Sequence, residues 1–232
     1  MALIKFGGGV VQMSGSIAGN TYARNRFGNY SRARTKPKNP RTGLQTTIRS
    51  AMSLLITRWA QVLTATQRTG WNLYGSSVAM KNRLGESVYL TGMNHYLRSN
   101  LLSVRADSVI IDAPPTIFEL PEADPTFAVS ISAATQLITV TFAATAAWNN
   151  ETGGHMFIEM GKPQNAQRNF FNGPWRYVGQ IPGETGTPLP SPQTKPCAFV
   201  AAAGQHIWAY ARIERKDGRL SEVFRDDCFC TA

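Results

Sequence analysis

Eighty-five residues pass before the first acidic side chain, Glu86. Residues 1–105 hold fifteen Lys and Arg against that single carboxylate, a net +14. Residues 106–232 hold nine Lys and Arg against thirteen Asp and Glu, a net −4, which together make the chain's +10. A stretch of that length with one carboxylate cannot neutralise its own cations by ion pairing. Most of its charge must be met from outside the stretch. The chain therefore reads as two modules that face different partners.

Composition narrows the class. At 43% hydrophobic and 10% aromatic, 232 residues can bury a core. Only 16% are charged, against roughly 25% in an average soluble domain. Low charge with 20 Gly and 13 Pro favours β-structure and loops, and fits a chain whose surfaces neighbours cover. No apolar run approaches the roughly 18 residues of a membrane span, so no membrane partner is expected. MALIKFGGGVVQMSGS lacks the apolar region of a secretory leader.

Residues 1–42 read as a basic extended arm. Its glycines include Gly7, Gly8, Gly9, Gly15, Gly19 and Gly28, and its large apolar residues are mainly Ile17, Tyr22, Phe27 and Tyr30. The turn signal Phe27-Gly28-Asn29 predicts a β-hairpin pairing Thr21–Arg26 with Tyr30–Thr35. Pro37 and Pro40 then force an extended path. Such an arm buries too little to offset a backbone ordering cost of about 1–2 kcal/mol per residue, so a partner is expected to hold it.

Residues 43–105 read as a helical module. Thr42-Gly-Leu-Gln45 has the form of a capping box. Leu44, Ile48, Met52, Leu55, Trp59 and Val62 or Leu63 follow at helical spacing. Thr64-Ala-Thr-Gln67 repeats the cap before a second helix reaching about Met80, with Trp71, Tyr74 and Val78 on its apolar face. Asn82–Leu90 reads as a connector. Thr91 caps a third helix carrying Met93, Leu97, Leu101 and Val104. Pro114, Pro115, Pro121 and Pro125 make residues 106–126 a Pro-rich linker or an edge strand.

Residues 127–232 read as all-β. The strands expected are FAVSIS, QLITVTFAA, HMFIEM, WRYVGQI, CAFVAAA, HIWAYARIER and SEVFRD, with a turn at Lys216-Asp217-Gly218-Arg219. The apolar set includes Phe127, Leu137, Ile138, Phe142, Phe157, Val178, Ile207, Trp208 and Tyr210. About seven short strands in about a hundred residues predict a β-sandwich of the immunoglobulin or fibronectin III kind. The fold class expected is thus α+β: an extended arm with a β-hairpin, a small helical module and a C-terminal immunoglobulin/fibronectin III-like β-sandwich.

The residues Gly15, Ile17, Gly19, Arg24, Asn25, Gly28, Tyr30, Asn39, Pro40, Thr42 and Gln45 follow a pattern: a G-[KS]-[IV]-G arm, an R-N-x-x-G-x-Y step and an N-P-[RK]-T-x-x-Q helix entry. In this the chain resembles an uncharacterised family of tailed-phage and prophage genomes, which also carries a C-terminal fibronectin-like domain. HIWAYARIERKDGRLS fits the last hairpin of such domains. The specific part of the resemblance is residues 14–45. It implies a virion structural protein, assembled in the host cytoplasm, and no established activity.

No catalytic, cofactor or metal site is expected. His95, His155 and His206 are isolated, and Gly7-Gly8-Gly9 lacks the frame of a phosphate loop. Cys197, Cys228 and Cys230 lack zinc-ligand spacing. Glu214, Asp217, Asp226 and Asp227 read as surface charge at the end of the sandwich. The candidate partner-binding residues are Tyr22, Arg24, Arg26, Phe27, Tyr30, Arg32, Arg34, Lys36, Lys38 and Arg41. They suit a tether along an acidic protein surface better than phosphate contact, because no nucleic-acid-reading motif accompanies them. Arg168–Tyr177 is an aromatic loop in which Phe170, Phe171 and Trp175 either anchor a protein or glycan contact or cover the core from outside. The functional expectation is a capsid decoration or cement protein, with arm and helices docked on the particle and the sandwich projecting. A tail, neck or baseplate component, or a nucleic-acid-binding protein using the basic half, are the alternatives. Partners expected are major capsid or tail proteins and further copies of the chain.

Overall fold

A computed structural model describes residues 2–36, 38–82 and 84–232. Pro37, one of the two prolines read as forcing an extended path, lies outside the described residues. Among the described residues the fold is mixed α+β, with three helices and several antiparallel sheets. The chain divides into two compact units at His95/Tyr96.

The first unit opens with four strands: β1 (Ala2–Leu3), β2 (Gly15–Ile17), β3 (Asn20–Asn25) and β4 (Gly28–Ala33). They form one sheet in the order β1-β4-β3-β2. The hairpin foreseen here exists with a shifted register: Asn25 pairs with Gly28 and Asn20 with Ala33. The turn is therefore Arg26-Phe27, earlier than the Phe27-Gly28-Asn29 signal. Local chemistry explains the shift. Asn25 Oδ1 accepts from the Phe27 amide at 2.9 Å, and Gly28 takes φ 117°, the position just after a turn that glycine favours.

Helix α1 (Gly43–Gln61) is capped by Thr42, whose hydroxyl accepts from Gln45 N at 3.4 Å. The reciprocal half of the expected box is absent, since Gln45 Oε1 is buried with no partner among the described residues. The full box forms at Thr64, where Gln67 Oε1 accepts from Thr64 N at 2.8 Å and opens α2 (Ala65–Ser77). The second helix stops at Ser77, short of the expected Met80, and β5 (Ala79–Lys81) takes its place, pairing with β6 (Ser87–Tyr89) from the span read as a connector. Leu55, Leu63, Trp71, Tyr74, Val78 and Leu90 are buried, and Trp71 meets Tyr74 edge to face at 5.9 Å. Thr91 Oγ1 accepts from Asn94 N at 3.2 Å at the start of α3 (Gly92–Arg105), which begins in the first unit and ends in the second.

The second unit carries β7 (Ala128–Ser132), β8 (Leu137–Thr141), β9 (His155–Gly161), β10 (Trp175–Pro182), β11 (Gln193–Pro196), β12 (His206–Glu214) and β13 (Phe224–Phe229). Two antiparallel sheets result, β11-β8-β7 and β10-β9-β12-β13. The fifth strand precedes the apolar run CAFVAAA; Cys197, Phe199 and Ala201 from that run pack against the core instead. Val129, Ile131, Ile138 and Val140 of one sheet share a core with Met156, Ile158, Met160, Ile207, Ala209, Ala211 and Ile213 of the other.

Phe157, Trp208 and Tyr210, read as core residues, lie on the opposite face of the four-stranded sheet by strand alternation. Phe157 is nonetheless buried. The end of α3 lies over that face: Ser103 Oγ donates to Glu214, and Arg105 donates to Glu159 at 2.9 Å. A sheet covered on both faces loses the clean apolar–polar alternation of a half-exposed one. The surface reading of Glu214 is corrected accordingly: it is 1% exposed.

Residues 106–126 contain no strand and pack into the second unit. Asn100 donates to Ile111 O at 3.1 Å and accepts from Ile111 N at 2.6 Å. Tyr96 donates to Asp112 at 3.0 Å. Asp124 accepts from Thr126 N and Ala143 N, both at 2.8 Å. The structure thus draws its division inside α3, not along the prolines.

Candidate interaction surface

No residue described between 2 and 50 is buried. The arm nevertheless forms a four-stranded sheet, so both faces of that sheet are open or only half covered. Strand alternation sorts its side chains. Tyr22, Arg24, Ser31 and Asn29 share one face, while Thr21, Ala23, Tyr30 and Arg32 share the other. Arg34, two residues beyond Arg32, continues the second. Arg24, Arg32, Arg34, Lys36, Lys38 and Arg41 are exposed, and Tyr22 and Tyr30 half-buried. The arginines are divided between the two faces, not gathered into one basic stripe.

The tip of the arm is fastened within its own unit. Asn82 is the fastening that sequence reasoning missed. Its Nδ2 donates to Phe27 O at 3.1 Å and to Glu86 Oε2 at 3.0 Å. Its Oδ1 accepts from Leu84 N at 2.9 Å and Glu86 N at 3.0 Å. Arg26 donates to Tyr89 O at 2.9 Å, so one of the predicted partner-binding arginines is held at home. Lys5 meets Glu86 at 2.5 Å. Hydrogen bonds from Lys5 and then Asn82 hold the Glu86 carboxyl below its ordinary range. The sequence signal for this cluster was Glu86 itself, the lone acid among so many bases.

Beside that fastening lies a concavity of about 500 Å³. Ile4, Phe6, Gly7–Val11, Phe27 and Leu84 give it an apolar lining, with Lys5, Asn29 and Glu86 as polar members. Residues 5–14 between β1 and β2 join no strand. Val11 is 88% exposed.

The aromatic loop resolves differently for its three candidates. Phe171 is 3% exposed, stacks on Trp208 at 5.6 Å and meets Trp175 edge to face at 4.9 Å. Trp175 meets Tyr210 at 4.8 Å, and the Arg225 guanidinium lies 5.4 Å from its centroid. Gly161 makes room for this packing, because a Cβ there would fall 2.4 Å from the Phe171 ring. Phe171 and Trp175 therefore cover the sheet, and Phe170, 69% exposed, alone points to solvent. At the edge of the same rack, His206 sits between Asp227 Oδ2 at 2.6 Å and Arg168 O at 2.9 Å, stacked on Phe229.

Among the described residues no helix is long and apolar enough to cross a membrane. Nor does any group of three or more His, Cys, Asp or Glu among them have the arrangement to hold a metal ion. No family model matches the chain, and no curated protein matches it. Among solved structures, a chain titled "Biofilm associated protein - BSP domain" aligns at 15% identity and a TM-score of 0.25 over 47% of this chain. The chain spans 14% of that structure's length. A likeness at that level carries no argument about fold or function.

Proposed function

We propose that this chain is a structural protein of a tailed-phage virion, a capsid decoration or cement protein whose basic first unit is covered by neighbouring subunits while the second unit projects. The observation that carries this reading is the absence of any buried residue described between 2 and 50. A sheet and a 19-residue helix begin within that stretch, yet ordering them costs about 1–2 kcal/mol per residue. Coverage by a partner supplies the missing burial, and thirteen Lys and Arg against one acid in residues 1–95 suit an acidic protein surface. Copies of the chain would then be arrayed by the particle.

The second unit is read as a fibronectin III-like sandwich. The support is its strand order. The first, second and fifth strands form one sheet and the third, fourth, sixth and seventh the other, around one shared core. Nucleic acid as the partner is the weaker reading, because the arm arginines are split between two faces and a phosphate backbone is tracked by one. A tail, neck or baseplate location would use the same arm.

The test is attachment. The full chain should bind tailed-phage particles assembled without it, in a salt-sensitive manner, and deletion of residues 1–36 should abolish binding. Retention of binding by that deletion, or tight DNA binding with a steep salt dependence, refutes the proposal.

A further inference from the structure

Resting on that reading of the arm, we propose that the concavity between residues 4–11, the hairpin tip and Leu84 seats an acidic, extended polypeptide segment of a partner subunit, anchored by one bulky apolar side chain. Three observations converge. The first is shape and lining: about 500 Å³ bounded by Ile4, Phe6, Val10, Val11, Phe27 and Leu84 accommodates a single large apolar residue with adjoining backbone. The second is exposure. Val11 is 88% exposed, Leu84 46%, Val10 45% and Phe27 39%, four apolar side chains left open around one concavity.

The third is charge. The single carboxylate of the unit, Glu86, stands at the concavity and is already engaged by Lys5 and Asn82. Arg24 is exposed and stands opposite Asn29 in the hairpin register, and Asn29 lines the concavity. No carboxylate of the arm meets this arginine, since residues 1–42 contain none. Acidic residues flanking the anchor would do so. The arm of a second copy is a poor occupant, because its charge is of the same sign. A nucleic acid offers phosphates but no aliphatic anchor.

The probe is a terminally blocked nonapeptide with Val-Phe-Val at its centre and Glu and Asp at both ends. Its binding to the full chain is followed by fluorescence anisotropy. It should bind at least tenfold more tightly than the same peptide with Ser at the centre, with Lys at its ends, or than a (dT)12 oligonucleotide. V11D and L84D should each weaken it tenfold or more. Val11 is solvent-facing, so V11D should leave the thermal midpoint in place.

Equal affinity for the Ser-centred or Lys-ended peptide, tighter binding of (dT)12, or unaltered binding by V11D overturns the inference. Particle attachment separates this from the reading beneath it. If V11D attaches normally while loss of residues 1–36 abolishes attachment, the seat is wrong and the virion reading stands. If the acidic peptide binds as expected but the chain attaches to no particle, the seat stands and the virion reading falls.

Discussion

Ser103 Oγ lies 2.9 and 2.8 Å from the two carboxylate oxygens of Glu214, a side chain that β12 holds under the end of α3. A hydroxyl has one proton to give. Contact with both oxygens suits a neutral carboxyl, which donates to Ser103 while accepting from it. Burial agrees, pushing the Glu214 carboxyl up to about 8, with the Ser103 hydrogen bond pulling the other way.

Stability should therefore fall as pH rises. The folded chain keeps a proton on Glu214 that the unfolded chain releases near its ordinary value of 4.5. The stabilisation from this group is complete below that value and lost as pH climbs through about 8. Each pH unit between removes up to about 1.4 kcal/mol. Glu214→Gln keeps shape and hydrogen bonding but has no proton to lose. Urea midpoints at pH 5, 7 and 9 should fall for the parent and stay nearly flat for the variant, which should be the more stable at pH 9.

Phe170 and Phe171 should respond oppositely to truncation. Phe171 fills the space left by Gly161 and stacks on Trp208. Phe171→Ala should cost about 3–5 kcal/mol, the range for a buried aromatic. Phe170→Ala should stay within about 0.5 kcal/mol, the range for an exposed position. Denaturant unfolding of the two variants decides it; equal costs would mean the loop is not seated as described.

Much of this was legible in the chain. The Thr64 box, the Thr91 cap and the arm hairpin could be read because each depends on neighbours within a few residues. The outer face of the four-stranded sheet could not. His206, Trp208, Tyr210, Arg212 and Glu214 alternate with Ile207, Ala209, Ala211 and Ile213, and a mixed polar set looks the same whether water or α3 lies on it. Glu214 was misread for that reason: its partner is 111 residues away. Asn82 was missed likewise, because an asparagine among loop residues signals a turn, whether or not it also holds Phe27, 55 residues earlier.

The three thiols should be sluggish. Burial pushes Cys197 up to about 11 and Cys228 up to about 12, and raises Cys230 as well. The thiolate is the reacting form, so at pH 8 the folded chain should react with Ellman's reagent at least about a hundredfold more slowly than the same chain in guanidinium. Rapid reaction of one thiol in the folded protein would show that its surroundings are more open than the packing implies.

The boundary of the second unit can be tested by cutting on either side of α3. Arg98 donates to Leu220 O at 2.6 Å and Ser221 O. Ser103 and Arg105 reach Glu214 and Glu159, and Asn100 holds Ile111 from both sides. These contacts tie the helix to the proline-rich stretch on one side and to the four-stranded sheet and its loops on the other. A fragment beginning at residue 127 loses all of them and uncovers Phe157, whose burial alone contributes roughly 1.5–3 kcal/mol. It also leaves the Ser221 and Leu220 carbonyls without their guanidinium. A fragment beginning at residue 92 keeps the whole set. The longer fragment should unfold in one cooperative urea transition. The shorter should be less stable by at least about 3 kcal/mol or fail to fold, since breaking several buried hydrogen bonds adds about 1 kcal/mol or more apiece. Equal stability of the two fragments would mean that α3 and residues 106–126 only rest on the sheet, and that the two sheets are sufficient by themselves.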